Sequence, residues 1–267
     1  MNTKIFTTLI ILLVLSVTVS SLGGILMDDM YIRETANWRA QSIAQDIVDL
    51  FLGVPLLIYA SISWRKGNRS SLFMLLGTLL FFLYTFIIYT FDVHFNRFFL
   101  MYCLVLGLTF YTFIYVVLTL KRDELKNWFD TSKKATYAIV FMYVVAFVFY
   151  FLWLSTIVPP MLSGEVPKEL VEVGLPTNPV HIIDLVFFLP SLIIVANMMK
   201  KGKWQAYFAA ASFMVFSVVM ALSIAGLIIY MELKGVGAGY AVAIAMFALA
   251  LASGMVYGKL VKWVRNV

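Results

Sequence analysis

Four ionisable residues stand where long apolar stretches begin. Asp46 and Asp49 are three apart at the head of one such stretch, and His181 and Asp184 are three apart at the head of another. On a helix this spacing puts both side chains of a pair on one face. Gln45 precedes the first pair, and Asn178 lies three residues ahead of His181. Carboxylates and an imidazole gathered in a low-dielectric setting can hold or pass a proton or bind a small cation. Gln45, Asp46, Asp49, Asn178, His181 and Asp184 therefore form the candidate ligand-binding set. Asp49, His181 and Asp184 could also supply three donors to a metal, and a divalent ion is the cofactor that set would take. The plainer reading is that a carboxylate at a helix start accepts the free N–H groups there. It suffices for Asp46. Asp49 and Asp184 each stand one turn further in, with apolar sequence immediately behind them. Asp92 and His94 share a short loop, where a lone imidazole is ordinarily solvated.

The two pairs are related by a constant offset. Shifting the chain by 135 residues lays DIVDLFLGVPLLIYASISWRKG, residues 46–67, on HIIDLVFFLPSLIIVANMMKKG, residues 181–202, without a gap and with eight of 22 positions identical. Apolar identities carry little weight in such a chain. The matches Asp49/Asp184, Pro55/Pro190, Lys66/Lys201 and Gly67/Gly202 carry more, because intramembrane Asp and Pro are uncommon and positionally constrained. Each Pro lies six residues after its Asp, where it removes a backbone hydrogen bond and favours a kink. An offset of half the chain predicts a tandem duplication, 1–134 and 135–267, each unit with four helices. An even number gives both units the same orientation, so the expected pseudo-two-fold axis runs along the membrane normal.

The elements that must position these residues are membrane helices. The chain is 63% hydrophobic and 13% charged over 267 residues, more apolar surface than one water-soluble core can hide. Apolar runs of roughly 20 residues fit helices crossing about 30 Å of hydrocarbon, and the alternation of barrel strands is absent. Eight spans are expected: Ile5–Leu26, Ile43–Ser63, Ser71–Phe91, Phe98–Leu120, Ala135–Ile157, His181–Met199, Gln205–Met231 and Gly237–Tyr257. The fold class is thus all-α and polytopic. The segment Val158–Val180 contains five prolines, which argue against a continuous helix there. The small residues Ser20, Ser21, Gly23 and Gly24 would suit a signal-peptide cleavage region, but near-spanning length and the lack of an Ala-x-Ala site favour a retained first helix.

Fifteen of the 20 basic residues fall in alternate connections, around Lys4, Arg65–Arg69, Lys121–Lys134, Lys200–Lys203 and Lys259–Arg265. Retention of Lys and Arg in cytoplasmic loops puts those segments and both termini on the cytoplasmic side of a cell membrane. Trp64, Trp128, Trp204 and Trp263 lie beside the same clusters, as interfacial indoles do. The net charge of +6 is therefore read as contact with anionic headgroups at the cytoplasmic face, with no role for nucleic acid. The single cysteine, Cys103, rules out an intramolecular disulfide.

Gln45–Leu50 through Pro55-Leu56-Leu57, with Thr177–His181 ahead of Asp184, resembles uncharacterised bacterial multi-pass membrane proteins. The resemblance implies a membrane fold and brings with it no activity or substrate. Three functions remain open: a carrier or binding protein for a proton, metal ion or small cationic ligand in an outward-facing pocket between the repeats; a metal-dependent membrane hydrolase acting on a lipid-like substrate; and a non-catalytic scaffold or sensor.

Overall fold

The structure is a computed structural model that describes residues 2–131, 135–237, 239–262 and 264. Among the described residues eight helices are long and apolar enough to cross a membrane. They are α1 (Thr3–Leu26), the compound helix Ala36–Arg65, α4 (Ser70–Asp92), α5 (Phe99–Thr119), α7 (Thr136–Ser163), the compound helix Pro179–Lys200, α11 (Trp204–Leu233) and α12 (Ala241–Val261). Two short helices, α6 (Arg122–Lys126) and α8 (Lys168–Val173), lie in connections. Among the described residues no strand forms beyond a single bridge between Phe129 and Val264. Phe51, Leu100, Leu118 and Phe151 are each more than 70% exposed on the flanks of the bundle. Water would not tolerate such a belt, whereas hydrocarbon covers it without cost.

Each compound helix is interrupted at the same place. In the first, α2 (Ala36–Val48) passes through a π-helical turn, Asp49–Gly53, into α3 (Val54–Arg65). In the second, α9 (Pro179–Ile183) passes through Asp184–Phe188 into α10 (Leu189–Lys200). The cause is the proline six residues after each acid. Pro55 and Pro190 have no N–H to continue the ladder, and the residue before each donates one step further back, Val54 to the Asp49 carbonyl and Leu189 to the Asp184 carbonyl. Further on, Gly67 and Gly202 end the two helices at positive φ, 91° and 67°. All these pairs are 135 residues apart.

Helices α4 and α11 form the centre. They pack against each other, α4 also against α3 and α5, and α11 against α2, α10 and α12. Two contacts define their crossing. Phe73 meets Phe208 edge-on with centroids 5.4 Å apart, and Gly77 lies so close to Ser212 that a Cβ there would be 2.7 Å from the Ser212 carbonyl oxygen. Both contacts advance in the same sense along the chain, so the two helices run parallel. At one end of the bundle the Arg33 side chain donates to the Phe95 carbonyl and Arg97 pairs with Asp29. At the other, Trp64 and Trp128 pack 6.0 Å apart beneath Arg69, and Lys200 lies over Tyr143. Lys133, Lys134, Trp263 and Arg265 lie outside the described residues.

Two expectations about helix ends need correction. The second span begins at Ala36 rather than Ile43, because Thr35 caps it by accepting the Trp38 N–H. The helix is 30 residues long, about 45 Å, and its first turns stand above a hydrocarbon layer of about 30 Å. The fifth does not stop at Ile157. It continues through Pro159 and Pro160 to Ser163, because carbonyls freed in a last turn at the membrane surface can be met by water.

Candidate functional site

The capping reading fails for the acids. Thr35 caps the first compound helix, and Asn178 caps the second by accepting the N–H groups of Val180 and His181. Asp49 and Asp184 instead open the π-helical turns. Counting back 16 residues from Arg65 and from Lys200 puts both about 24 Å from the basic end, toward the opposite face of a 30 Å hydrocarbon layer.

The structure divides the six candidate residues between two clusters rather than one. In the first, Asp46 and Asp49 are fully buried one turn apart on the face toward α1, α4 and α11. Asp46 Oδ2 accepts from the Tyr31 hydroxyl at 2.6 Å, and Asp49 Oδ1 accepts from Gln45 Nε2 at 2.8 Å. Gln45 ties the cluster across the bundle: its Oε1 accepts from Ser223 Oγ at 2.8 Å, and its Nε2 reaches Thr85 Oγ1 at 3.5 Å. Among the described residues Asp49 Oδ2 has no hydrogen-bond partner; Asp46 Oδ1 makes no close hydrogen bond, with the Ser21 and Tyr89 hydroxyls near its carboxyl group. Tyr31 is in the connection outside the spans, where burial, with Tyr89 and Asp46 nearby, pushes its hydroxyl well above its ordinary pKa. It therefore keeps its proton and donates throughout the physiological range.

In the second cluster Asp184 Oδ1 accepts from the Tyr84 hydroxyl at 3.2 Å and Oδ2 from the Trp153 indole at 2.9 Å. The Trp153 ring also packs on His181, with centroids 4.4 Å apart. His181 Nε2 is 3.7 Å from Glu169 Oε1, on α8 at the outer edge, and 3.5 Å from the Asn178 amide nitrogen. Neighbouring residues of α4 reach the two clusters, Tyr84 the second and Thr85 the first. No described Lys, Arg or His pairs with Asp46, Asp49 or Asp184.

A metal does not fit this arrangement. No three described His, Cys, Asp or Glu side chains are grouped to hold an ion. Asp184 already accepts two hydrogen bonds, His181 faces Glu169 and Trp153, and Asp49 is held with Gln45 in the other cluster.

Several residues of the site were not legible as such. Tyr31, Tyr84 and Trp153 are ordinary amphipathic aromatics in sequence, and Ser223 is one hydroxyl among many. Gly24 carried a signal that pointed elsewhere. It belongs to the small-residue run that resembles a cleavage region, yet its α-carbon packs on the Asp46 carboxylate, and a Cβ there would come within 1.8 Å of Oδ2. Gly24→Ala is expected to cost about 1–3 kcal/mol by overpacking. Thermal unfolding of Gly24→Ala, Asp46→Ala and the double variant should give a coupling of about 0.5–3 kcal/mol, and additive effects would contradict the contact.

Beside the second cluster lies a cavity of about 990 Å³, bounded by α4, α5, the second π-helical turn, α10 and α11. Tyr84 lines it; the remaining wall is almost wholly apolar.

No family model, curated protein or solved structure matches the chain.

Proposed function

We propose that the protein binds or carries a proton or small cation at its buried acids, as two tandem four-helix repeats, 1–134 and 135–267, related by a pseudo-two-fold axis along the membrane normal. One observation carries the functional reading: Asp46 and Asp49, one turn apart and fully buried, meet no basic side chain among the described residues, and Asp49 keeps an oxygen without a partner there. An ionised carboxylate in such a place costs on the order of 2.5–3.5 kcal/mol even with local relaxation. A proton or a small cation on these carboxylates removes that cost, and a group that must be neutralised in place can exchange its neutralising ion. Among the described residues no three donors are grouped for a metal, which disfavours the metal-dependent hydrolase.

The duplication is supported by more than the sequence match. Both acids open π-helical turns at the 135-residue offset. The contacts at the centre, Phe73 with Phe208 and Gly77 with Ser212, join residues equivalent under that offset, as residues on a two-fold axis must be. An inverted repeat would set α4 and α11 antiparallel, and they run parallel.

Proton uptake into proteoliposomes containing the purified full chain, driven by an imposed potential and read by an internal pH dye, tests the function. Uptake by the wild type is expected to exceed that of empty liposomes and to fall at least about tenfold in Asp46→Asn/Asp49→Asn, with sodium uptake measured alongside. Equal uptake of both ions in the wild type and the variant overturns the reading.

The basic asymmetry supports cytoplasmic termini and contact of the basic end with anionic lipid. In a Cys103→Ser background, a membrane-impermeant thiol reagent added to intact cells should label Glu165→Cys and leave Asn127→Cys unlabelled. The reverse pattern would invert the topology.

A further inference from the structure

The cavity beside Asp184 opens to the side of the bundle rather than to an end. Phe110, Tyr111 and Phe187 on its rim are each at least 45% exposed within the apolar belt. Along α4 its lining runs from Leu76 to Thr90, 14 residues or about 21 Å, the depth of one leaflet and part of the next. At about 990 Å³ it is at the top of the range of small-molecule sites, roughly 300–1,000 Å³. A molecule filling it from the side must itself be long, narrow and apolar.

Several hydroxyls line it, and the one beside an acid is directional. The Tyr84 hydroxyl gives its proton to Asp184 and so presents only lone pairs to the cavity. A ligand group meeting that oxygen has to be a hydrogen-bond donor. Behind it stands a carboxylate that meets no basic side chain among the described residues, so a cationic donor is complementary in charge where a neutral donor is not and an anion is repelled.

We propose that this groove takes a long-chain amine laterally from the bilayer, its apolar chain between α4, α5, α10 and α11 and its ammonium group donating to the Tyr84 oxygen in front of Asp184. The proposal rests on the reading of the buried acids as cation-holding groups, and it gives Asp184 a ligand different from the one at Asp46 and Asp49. The symmetry-related position is not equivalent: Tyr84 corresponds to Val219 at the 135-residue offset, so only this side of the bundle sets a tyrosine in front of its acid.

Three amphiphiles with the same chain separate head chemistry from greasy filling: hexadecylamine, hexadecanol and hexadecanoic acid, each added to the purified full chain in detergent. Hexadecylamine at a concentration about a hundredfold above its Kd is expected to raise Tm by about 5–10 °C, with the alcohol well below it and the acid without effect. Tyr84→Phe and Asp184→Asn should each reduce the amine shift to that of the alcohol. Gly107 faces the groove with open space where a side chain would go, so Gly107→Trp fills the groove without disturbing the packing, and it should abolish the shift at unchanged basal Tm. Equal shifts from all three amphiphiles would mean ordinary lipid filling only, and an amine shift that survives Gly107→Trp would place binding elsewhere; either overturns the proposal. Proton uptake lost in Asp46→Asn/Asp49→Asn alongside an absent amine shift would sink the groove and leave the proposed function standing. An amine shift without uptake would do the reverse.

Discussion

Gly77→Leu is expected to be the most damaging single substitution in the membrane domain. A Cβ at position 77 would stand 2.6 Å from the Val215 Cβ and 2.7 Å from the Ser212 carbonyl oxygen, and neither can step aside as the end of a flexible side chain could. The whole of α11 would have to move away from α4, and both helices hold the rest of the bundle. Overpacking at such a site costs about 3 kcal/mol or more, because membrane helices associate through close packing and have little hydrophobic driving force of their own. In thermal unfolding this amounts to a fall in Tm of about 6–12 °C for a chain of this size, with a matching loss of folded yield. Gly107→Leu is the control, since nothing lies within 4 Å of its added Cβ. Similar losses in both variants would show that a leucine anywhere in these helices is harmful and that the crossing is not special.

The second large effect separates the two acids that the sequence treats as twins. Asp184→Leu leaves two donors, the buried Tyr84 hydroxyl and the half-buried Trp153 indole, facing a methyl group. A buried donor left unmet costs about 1–3 kcal/mol, at the lower end where the comparison state is also in a membrane, so the pair is worth about 2–4 kcal/mol. Asp49→Leu strands only Gln45 Nε2, which keeps Thr85, while Gln45 Oε1 keeps Ser223. It also removes an oxygen that had no partner. Its expected cost is below about 1 kcal/mol. Unfolding of the two variants in the same detergent measures the difference directly, and a larger loss for Asp49→Leu would refute the hydrogen-bond account of both clusters.

The contrast also marks how far the amino-acid sequence could be read. The eight spans were legible because apolar length is imposed by the bilayer and survives any detail of packing. The acid-to-proline spacing was legible because Pro can be met only by a local rearrangement of the backbone, and the same rearrangement recurs at Asp49 and Asp184. Whether the two acids share one pocket was not legible. That depends on the rotation of α4, which turns Tyr84 toward one acid and Thr85 toward the neighbour of the other, and adjacent residues on a helix diverge by about 100°. The start of the second compound helix was missed for a related reason. Trp38, Ser42 and their neighbours are too polar to count as span, yet they are helical and packed, and hydropathy reports the solvent around a helix rather than its length.

The π-helical turns have a mechanical meaning as well. Each inserts one more residue into a turn than an α-helix would, and so works as a fixed phase shift between the segment carrying the acid and the segment anchored at the basic end. Deleting a single residue from either turn would restore the regular screw. Everything on the outer side would then rotate by about 100° about the helix axis and drop by about 1.5 Å relative to the basic end. Asp49 would turn away from the face that Gln45 and Ser223 serve, and Asp184 away from Tyr84 and Trp153. The azimuth of both acids is thus set by the number of residues between them and a proline, and a change of one in that number would turn either acid off its hydrogen-bond partners with every side chain left as it is.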